Sequence, residues 1–600
     1  MLRRHDFITP YVNGIRFFDK PPLLYWMASS SMAVLGVKDW AARLPLALAV
    51  LALLLATYAL GIRLFRSVSP TSNPDRGGFY AALALATGIG PYLYTRFYIP
   101  DILLALWMTL AVHLLLIALG RIRENRSSLL PCVGFAAVMA LNVLTKGLIG
   151  LVFPIAFVFG YLALTRQLRL LFKLHLIPST AVFLLIAAPW HILAALRNPP
   201  IPLPAGIELP AKGGWAWFYL YNEHIARFLS KRVPHDYGQT PVWLFWLLLV
   251  IWIMPWGAFL PTAIAEHARA LRDRATVSAR DYEAALSLTL WALIVLGFFT
   301  LSARQEYYSL PAIPALALMA GGILARADRA VQEKTVFPGK TPRRRGISAF
   351  RLRAANPSPV ASVLRWHLYL LVPVAMLIAT VCSYFAVAAP HPAIGTDLST
   401  LLAANPEFYN LSLGHLFDLT GAAMGLFRGP LTDVAAGMLI LGPASYLLRH
   451  RRLTYAANLT LAAGMIVVLL AAHEGLVRFN PILGSKGLAE AINNAQDAHP
   501  RPEDLIILDG ELTSGSTLVF YTGQQVHLVN GRVNGLWYGS FWPDAPAVFE
   551  TEASLHQLWS SPRRIFLLTY TPAARIKDLS PYGSVHTLAT AGGKTILSNR

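Results

Sequence analysis

Apolar runs recur along this chain at the length a helix needs to cross about 30 Å of hydrocarbon, and no other property narrows the fold so far. They fall at about 41–65, 78–95, 99–119, 130–145, 148–164, 176–196, 242–264, 284–301, 309–326, 366–388, 432–448 and 454–474. Backbone amides inside a bilayer must be satisfied within each segment, so the pattern predicts a polytopic α-helical membrane protein with about twelve spans. Composition agrees, with 55% hydrophobic residues, 14% charged residues and a mean hydropathy of +0.50. From about residue 475 the pattern changes to short runs such as Leu505–Leu508, Thr517–Tyr521 and Ile565–Leu568 between polar turns. These predict strands of a small C-terminal α/β domain.

A formal net charge of +20 first suggests a polyanionic partner, but the basic residues alternate loop by loop instead of covering one soluble face. Arg63, Arg66 and Arg76 share a side with Arg121, Arg123 and Arg126, with Arg166, Arg169 and Lys173, and with Arg269, Arg272, Arg274 and Arg280. The Arg-, Pro- and Ser-rich stretch 330–360, with Lys340, Arg343, Arg344, Arg345, Arg351 and Arg353, reads as a flexible loop on that side. Arg449, Arg451 and Arg452 complete the set. The positive-inside rule makes these loops cytoplasmic, so the charge reports topology and no nucleic-acid partner is expected. The expected domains are an exterior interfacial helix segment at 1–40, a transmembrane domain at 41–474 with exterior loops 197–241 and 389–431, and an exterior α/β domain at 475–600. An exterior segment at the start needs a span to carry it across, and residues 1–12 hold none. The expectation is a late start, with one further span upstream. Cys132 and Cys382 both fall in spans and imply no disulfide framework.

Within the first segment, Asn13-Gly14-Ile15-Arg16-Phe17-Phe18-Asp19-Lys20-Pro21-Pro22-Leu23-Leu24-Tyr25-Trp26 sets an acid and a lysine between an aromatic pair and a Pro-Pro break. Its rings suit headgroup level, so the segment is expected to lie on the bilayer. Other ionisable residues gather at span ends on the same side. Arg96 and Asp101 flank the third span, Lys146 sits in the tight Leu144–Gly147 hairpin, and Glu223, His224 and Arg227 occupy the long loop. Arg304 and Glu306 stand beside Tyr307 and Tyr308. Singly, each has a bland reading: Arg96, Lys146 and Arg304 could reach headgroup phosphates, Asp101 could cap its helix, and His224 could be structural. Together, cations beside two acids on one membrane face suit a lipid-linked phosphate and a proton acceptor. Ala591-Gly592-Gly593-Lys594-Thr595 ends like a phosphate loop, but Leu588 stands where its first glycine belongs. HExxH, CxxC and GxSxG are absent from the sequence, which weakens hydrolase and nucleotide-enzyme readings.

These residues resemble bacterial lipid-to-lipid sugar transferases of the GT-C superfamily, above all the aminoarabinose lipid A transferases and the protein O-mannosyltransferase-like group. The resemblance rests on Thr9-Pro10, Asn13-Gly14, Phe17-Phe18-Asp19-Lys20-Pro21-Pro22-Leu23 and Tyr25-Trp26. It continues through Ala42-Arg43-Leu44-Pro45, Arg96 with Pro100-Asp101, Leu144-Thr145-Lys146-Gly147, Pro189-Trp190, Glu223-His224 with Arg227-Phe228, Pro255-Trp256, and Tyr307-Tyr308 with Leu310-Pro311. It implies an inverting transfer at the exterior face of a bacterial inner membrane. The sugar would pass from a polyprenyl-phosphate donor to a lipid or glycolipid acceptor such as lipid A, with no nucleotide cofactor. Lys20 would contact the donor phosphate, with Arg96, Lys146 and Arg304 as further contacts and Glu223, Tyr307 and Tyr308 in the substrate-binding set. Asp101 would be the catalytic second acid that orients substrate. The general base belongs to an acidic motif upstream of Thr9, where this chain has only Asp6 at a non-catalytic position, so it is expected before Met1. The resemblance also implies a divalent metal near the interfacial segment, with Asp19 and His224 as ligands.

A leaving phosphate needs no strong general acid, so such chemistry asks the protein to orient the acceptor and stabilise charge on the departing group. A lipid or solute transporter, or flippase, would instead predict internal repeats and helices broken at mid-membrane; no repeat is visible. A catalytically inactive membrane scaffold that presents the C-terminal domain is the other alternative.

Overall fold

The computed structural model describes residues 1–600 except 66–74, 207, 236–237, 337–357, 406–410, 412 and 502. Arg66 and the basic residues from Lys340 to Arg353 therefore lie outside the described residues. The chain opens on a hairpin of β1 (Tyr11–Val12) and β2 (Ile15–Arg16) with Asn13-Gly14 as its turn. Both turn residues take positive φ, 51° and 84°, the geometry a two-residue hairpin asks for and Asn-Gly supplies at least cost. The first α-helix begins past Pro21-Pro22, where α1 spans Leu23–Leu35. The expected interfacial helix is thus α-helical in its second half alone, with a single 3-10 turn at Leu2–Arg4 before the hairpin. Phe18 is 2% exposed and packs edge-on against Tyr538 and Trp542 of the C-terminal domain, which removes it from headgroup level.

The bundle follows as α2 (Asp39–Phe65), α3 (Asp75–Ala86), α4 (Ile89–Tyr94), α5 (Asp101–Arg123), α6 (Leu129–Lys146), α7 (Ile149–Leu164) and α8 (Leu176–Arg197). A loop with the short pair β3 (Ile201–Pro202) and β4 (Lys212–Gly213) leads to a π-helical stretch, Trp217–Ala226. After it come α9 (Val242–Trp252), α10 (Leu260–Arg272), α11 (Ala279–Leu301) and α12 (Ile313–Val336), then long helices at Pro359–Ala388, Gly421–His450 and Thr454–Leu483. Gly61 of α2 faces Gly78 of α3 so closely that an added Cβ would stand 2.4 Å from the opposing Cα, the close approach small residues permit between membrane helices. Apolar residues such as Ile177, Leu185 and Val387 project outward, as lipid-facing positions should.

Among the described residues nine helices are long and apolar enough to cross a membrane, or ten if a sharply bent pair counts as one span, against about twelve expected. The differences have local causes. The run at 78–95 splits into α3 and α4 at Gly88, which is extended (φ −78°, ψ 144°), and the run at 148–164 yields an α7 of 16 residues. The run at 242–264 turns by 99° between α9 and Trp256–Arg272. The two breaks meet: Ile89 N donates to Met254 O at 3.3 Å, and Trp256 Nε1 donates to Thr87 Oγ1 at 2.8 Å. Trp252 Nε1 also donates to Glu306 O at 3.0 Å. This broken helix is a packed, satisfied joint, whereas the discontinuous helices of transporters line a substrate path.

The C-terminal domain starts with the helix Lys486–Ala498 and holds β5 (Leu505–Asp509), β6 (Val526–Val529), β7 (Phe549–Glu550), β8 (Ile565–Thr569), β9 (His586–Ala591) and β10 (Lys594–Ser598). They form one mixed sheet in the order β7-β6-β5-β8-β10-β9, parallel from β7 to β8. Two of the three expected strands are present as β5 and β8. Thr517–Tyr521 is instead helical, within Ser516–Thr522. Parallel pairing of β5 with β6 requires a crossover, and this segment supplies it by burying Leu518, so topology overrides its β-rich composition. Gly592-Gly593 is the tight turn between β9 and β10, with φ of 60° and 76°.

Candidate active site

Three parts of the chain bring charged groups to one cavity of about 330 Å³, the link after β2, the α6–α7 corner and the π-helical stretch with Arg227 just after it, and the end of α11 closes it with Phe298 and Phe299. Asp19, Lys20, Lys146, Glu223, His224 and Tyr308 all line it, as does Arg227. Val152, Phe228, Leu229 and Phe298 make the rest of the wall apolar, so a ligand there would need a charged head and a hydrocarbon body.

The corner is fixed by histidine and glycine. In the π-helical stretch Tyr219 and His224 are five residues apart, and His224 Nδ1–H donates to Tyr219 O at 2.5 Å. Its Nε2 accepts from Leu148 N–H at 3.0 Å. Burial lowers the pKa of His224, in keeping with a neutral ring that donates through one nitrogen and accepts through the other. Gly147 adopts φ 77°, ψ −147°, a region open in practice to glycine alone, and an added Cβ would stand 2.0 Å from His224 Nε2. Gly147→Ala is expected to cost about 1–3 kcal/mol from the backbone alone and to displace His224. Thermal unfolding of the detergent-solubilised variant measures it, and an unchanged midpoint would refute the packing argument.

Acids and arginines interlock behind Lys20. The Glu223 carboxylate accepts from Arg227 at 2.8 Å and from Arg232 at 2.6 Å, and Arg232 reaches Asp19 Oδ2 at 3.4 Å. Burial, and then the Glu223 charge, raises the pKa of Asp19. Burial, and then the Arg227 charge, lowers that of Lys20, whose ammonium donates to the Asp19 carbonyl at 3.3 Å. Arg232 carries much of this network, yet the sequence offered no signal for it, because Lys231 and His235 beside it look equally like loop residues. Arg227 was legible as part of the cluster, but its place in the cavity comes from the helix that turns it inward.

Other expected site residues lie elsewhere. Asp101, 1% exposed, is ion-paired with Lys146 and stands behind it, outside the cavity's lining. The Lys146 ammonium lies 4.1 Å from the centre of the Tyr308 ring and 5.9 Å from that of Tyr307, which itself stands outside the lining. Arg304 donates to Phe299 O at 2.7 Å and Thr300 O at 3.2 Å, satisfying the last carbonyls of α11, and to Thr240 O at 3.1 Å. Arg96 is exposed and stacks over Tyr92 at 4.4 Å. Neither arginine lines the cavity.

The metal expected at Asp19 and His224 does not fit this arrangement. Asp19 Oδ1 is buried with no hydrogen-bond partner and would suit a cation. Both nitrogens of His224 are engaged with backbone, and both oxygens of Glu223 with arginine, so neither of these side chains stands ready as a second ligand.

The C-terminal domain completes the site from behind. Asn13 Nδ2 donates to Val526 O at 2.8 Å while Val526 N donates to Asn13 Oδ1 at 3.0 Å, and Gln525 Nε2 donates to Asn13 O at 2.8 Å. Arg16 pairs with Asp544 at 2.8 Å, and Ile15, fully buried, belongs to the core under the sheet. At Gly535 an added Cβ would lie 3.6 Å from Asp19 Oδ2. The hairpin that leads into Asp19-Lys20 is thus held by residues 525–544.

Known proteins resemble this chain in sequence and in fold. Residues 19–192 match the family described as dolichyl-phosphate-mannose-protein mannosyltransferase. Over 330 residues, 55% of this chain, the sequence is 27% identical to the undecaprenyl phosphate-alpha-4-amino-4-deoxy-L-arabinose arabinosyl transferase of Pseudomonas aeruginosa strain UCBPP-PA14. The protein of the same name from Aeromonas salmonicida strain A449 is 27% identical over 325 residues. The matched part spans about half the length of these curated relatives, 54% and 52%. The crystal structure of ArnT from Cupriavidus metallidurans bound to undecaprenyl phosphate superposes with a TM-score of 0.70 at 21% identity, covering 100% of this chain and 91% of that one. The fold is therefore that of ArnT, and the chain resembles the GT-C glycosyltransferases as its motifs predict.

Proposed function

We propose that this chain is an integral membrane glycosyltransferase that moves a sugar from a polyprenyl-phosphate donor to lipid A or another glycolipid. One observation carries the reading: Lys20, Lys146 and Arg227 line one cavity beside Asp19 and Glu223, and the rest of its wall is largely apolar, an arrangement suited to an anion attached to a hydrocarbon. The relatives named for undecaprenyl-phosphate aminoarabinose transfer support the donor class, and their names make 4-amino-4-deoxy-L-arabinose the first sugar to assay. In this reading Lys20 and Arg227 bind the donor phosphate and stabilise the charge it gains as the glycosidic bond breaks. Lys146, held by Asp101 and covered by Tyr308, adds positive field from the α6 end. Glu223 holds Arg227 and Arg232, fixing the arginine frame before substrate arrives. The apolar wall receives the first isoprene units. The exterior placement of residues 1–40 and 475–600 and the three-part domain division belong to the same proposal, supported by the basic loops at the opposite end.

The direct test incubates the purified full chain in lipid vesicles with undecaprenyl-phosphate aminoarabinose and lipid A, and follows the acceptor by mass spectrometry. Acceptor mass rising by one sugar supports the reading. Donor that stays intact with lipid A and with other glycolipids overturns it.

The same geometry sets a pH dependence. The protonated Lys20 amine binds phosphate and its pKa is lowered, so donor affinity is full below that lowered value and falls as pH rises through it, roughly tenfold per unit. Lys20→Arg keeps its charge to higher pH and is expected to move the alkaline fall upward. Profiles of kcat/KM for the donor that coincide in parent and variant would contradict this.

A further inference from the structure

A metal does not fit beside Asp19, yet the carboxylate that was to hold it is left under-bonded in the cavity wall. Two acids belong to that wall, Asp19 and Glu223, and they are used very differently. Glu223 has both oxygens engaged, with Arg227 at 2.8 Å and Arg232 at 2.6 Å. Asp19 has one long contact, Arg232 Nη2 at 3.4 Å from Oδ2, while Oδ1 is buried with no hydrogen-bond partner among the described residues. An ionised carboxylate accepts at about four lone-pair positions, and a buried acceptor left unmade costs its desolvation. A carboxylate that only braced the arginine frame would be bonded as Glu223 is.

The cations nearby do not fill this vacancy. Arg232 donates at closer range to Glu223, at 2.6 Å, and to Pro234 O, at 2.8 Å. Arg227 is held by Glu223, and Lys20 turns its ammonium to the carbonyl of Asp19 at 3.3 Å, not to the carboxylate. That last contact also fixes a position. In a polyprenyl-phosphate donor the sugar is attached directly to the phosphate, so a phosphate held by Lys20 brings the sugar ring beside Asp19. What one carboxylate can bind alone then decides the partner. A divalent metal asks for several ligand atoms in a set geometry, whereas an ammonium with its three donors is held by a single carboxylate through a charge-assisted hydrogen bond. Resting on the donor reading above, we propose that Asp19 is the sugar-recognition residue of this site: its carboxylate binds an ammonium carried by the donor sugar and selects an amino sugar over its hydroxyl counterpart. The terminal torsion of an aspartate is broad, so either oxygen can turn to the ammonium. Arg232 and Glu223 position the carboxylate, and Asp19 takes no part in the bond exchange at the phosphate.

The test compares kcat/KM of the full chain in lipid vesicles for two undecaprenyl-phosphate donors, one carrying 4-amino-4-deoxy-L-arabinose and one carrying L-arabinose, with lipid A as acceptor. The parent is expected to prefer the amino donor roughly tenfold or more, because a site built for a polar partner rejects the analogue that lacks it. Asp19→Asn keeps the shape without the charge and is expected to lower that preference roughly tenfold, while Asp19→Glu, which keeps the charge, retains it. A mere brace for Arg232 would lower both rates together and leave their ratio unmoved. If Asp19→Asn does not fold, Asp19→Glu and the parent carry the comparison. Equal use of the two donors by the parent overturns the inference, as does a ratio that Asp19→Asn leaves unchanged or that Asp19→Glu loses. So does transfer that a chelator abolishes and zinc restores in the parent but not in Asp19→Asn, which would assign the carboxylate to a metal. No transfer from either donor overturns the functional reading itself, and this inference falls with it.

Discussion

Lys20→Ala is expected to lower sugar transfer by about 10²–10³-fold while leaving the folded yield and the thermal midpoint of the protein close to those of the parent. The first half of that expectation follows from where charge develops. In the proposed reaction the departing phosphate gains negative charge as the glycosidic bond breaks, inside a cavity that Lys20 lines and whose uncharged wall is largely hydrocarbon. A preorganised cation in a water-poor site is worth more there than in solution, because no solvent has to reorganise around the new charge. The second half follows from the partners of Lys20. Its ammonium donates to a single backbone oxygen, and burial holds its pKa down, so the folded protein gains little from the charge when the cavity is empty. Steady-state transfer with varied donor, beside thermal unfolding of the same samples, separates the two. A variant that transfers sugar at the parent rate would remove Lys20 from the phosphate site.

Asp101→Ala is expected to behave oppositely, with a large loss of stability of about 3–5 kcal/mol. Asp101 starts α5, where the helix dipole favours an acid, and it is ion-paired with Lys146, whose side chain is 7% exposed. Removing the acid strands a cation among Tyr307, Tyr308 and the α6 terminus, and an uncompensated buried charge is far costlier than the pair. The double variant Asp101→Ala with Lys146→Met is therefore expected to recover most of the lost stability and none of the activity that depends on Lys146. Unfolding midpoints for the two single variants and the double variant form the cycle. Additive losses would show that the two groups are not coupled.

The sequence carried the fold as far as its periodicities reach. Apolar length located the helices, and the alternation of arginines from loop to loop anticipated that Lys20, Lys146, Glu223 and His224 would share one end of the bundle while Arg63, Arg123 and Arg280 shared the other. It could not foresee that α9 bends or that Gly88 splits a run, because those breaks are stabilised by one another across the bundle. Thr517–Tyr521 misled for a similar reason, since the parallel register of β5 and β6 decides its state. At the site, residue type alone did not distinguish a cation that binds substrate from one that caps a helix. Arg304 and Lys20 look equivalent in sequence, and only the carbonyls at the end of α11 reveal that Arg304 is already occupied. The Asn13-Gly14 pair was conspicuous from the start, but its partner lies 513 residues further along the chain.

That separation bears on how the protein comes into being. A ribosome delivers Asp19 and Lys20 about five hundred residues ahead of the strand edge and the helix that hold their hairpin, which arrive only with residues 525–544. Closing a loop of that length contributes nothing until its last part is made, so a partly synthesised chain has the membrane bundle without a seated phosphate grip. Competence to bind the proposed lipid-linked substrate would then appear all at once, when residues 525–544 are in place, and a chain interrupted before them would leave that substrate untouched.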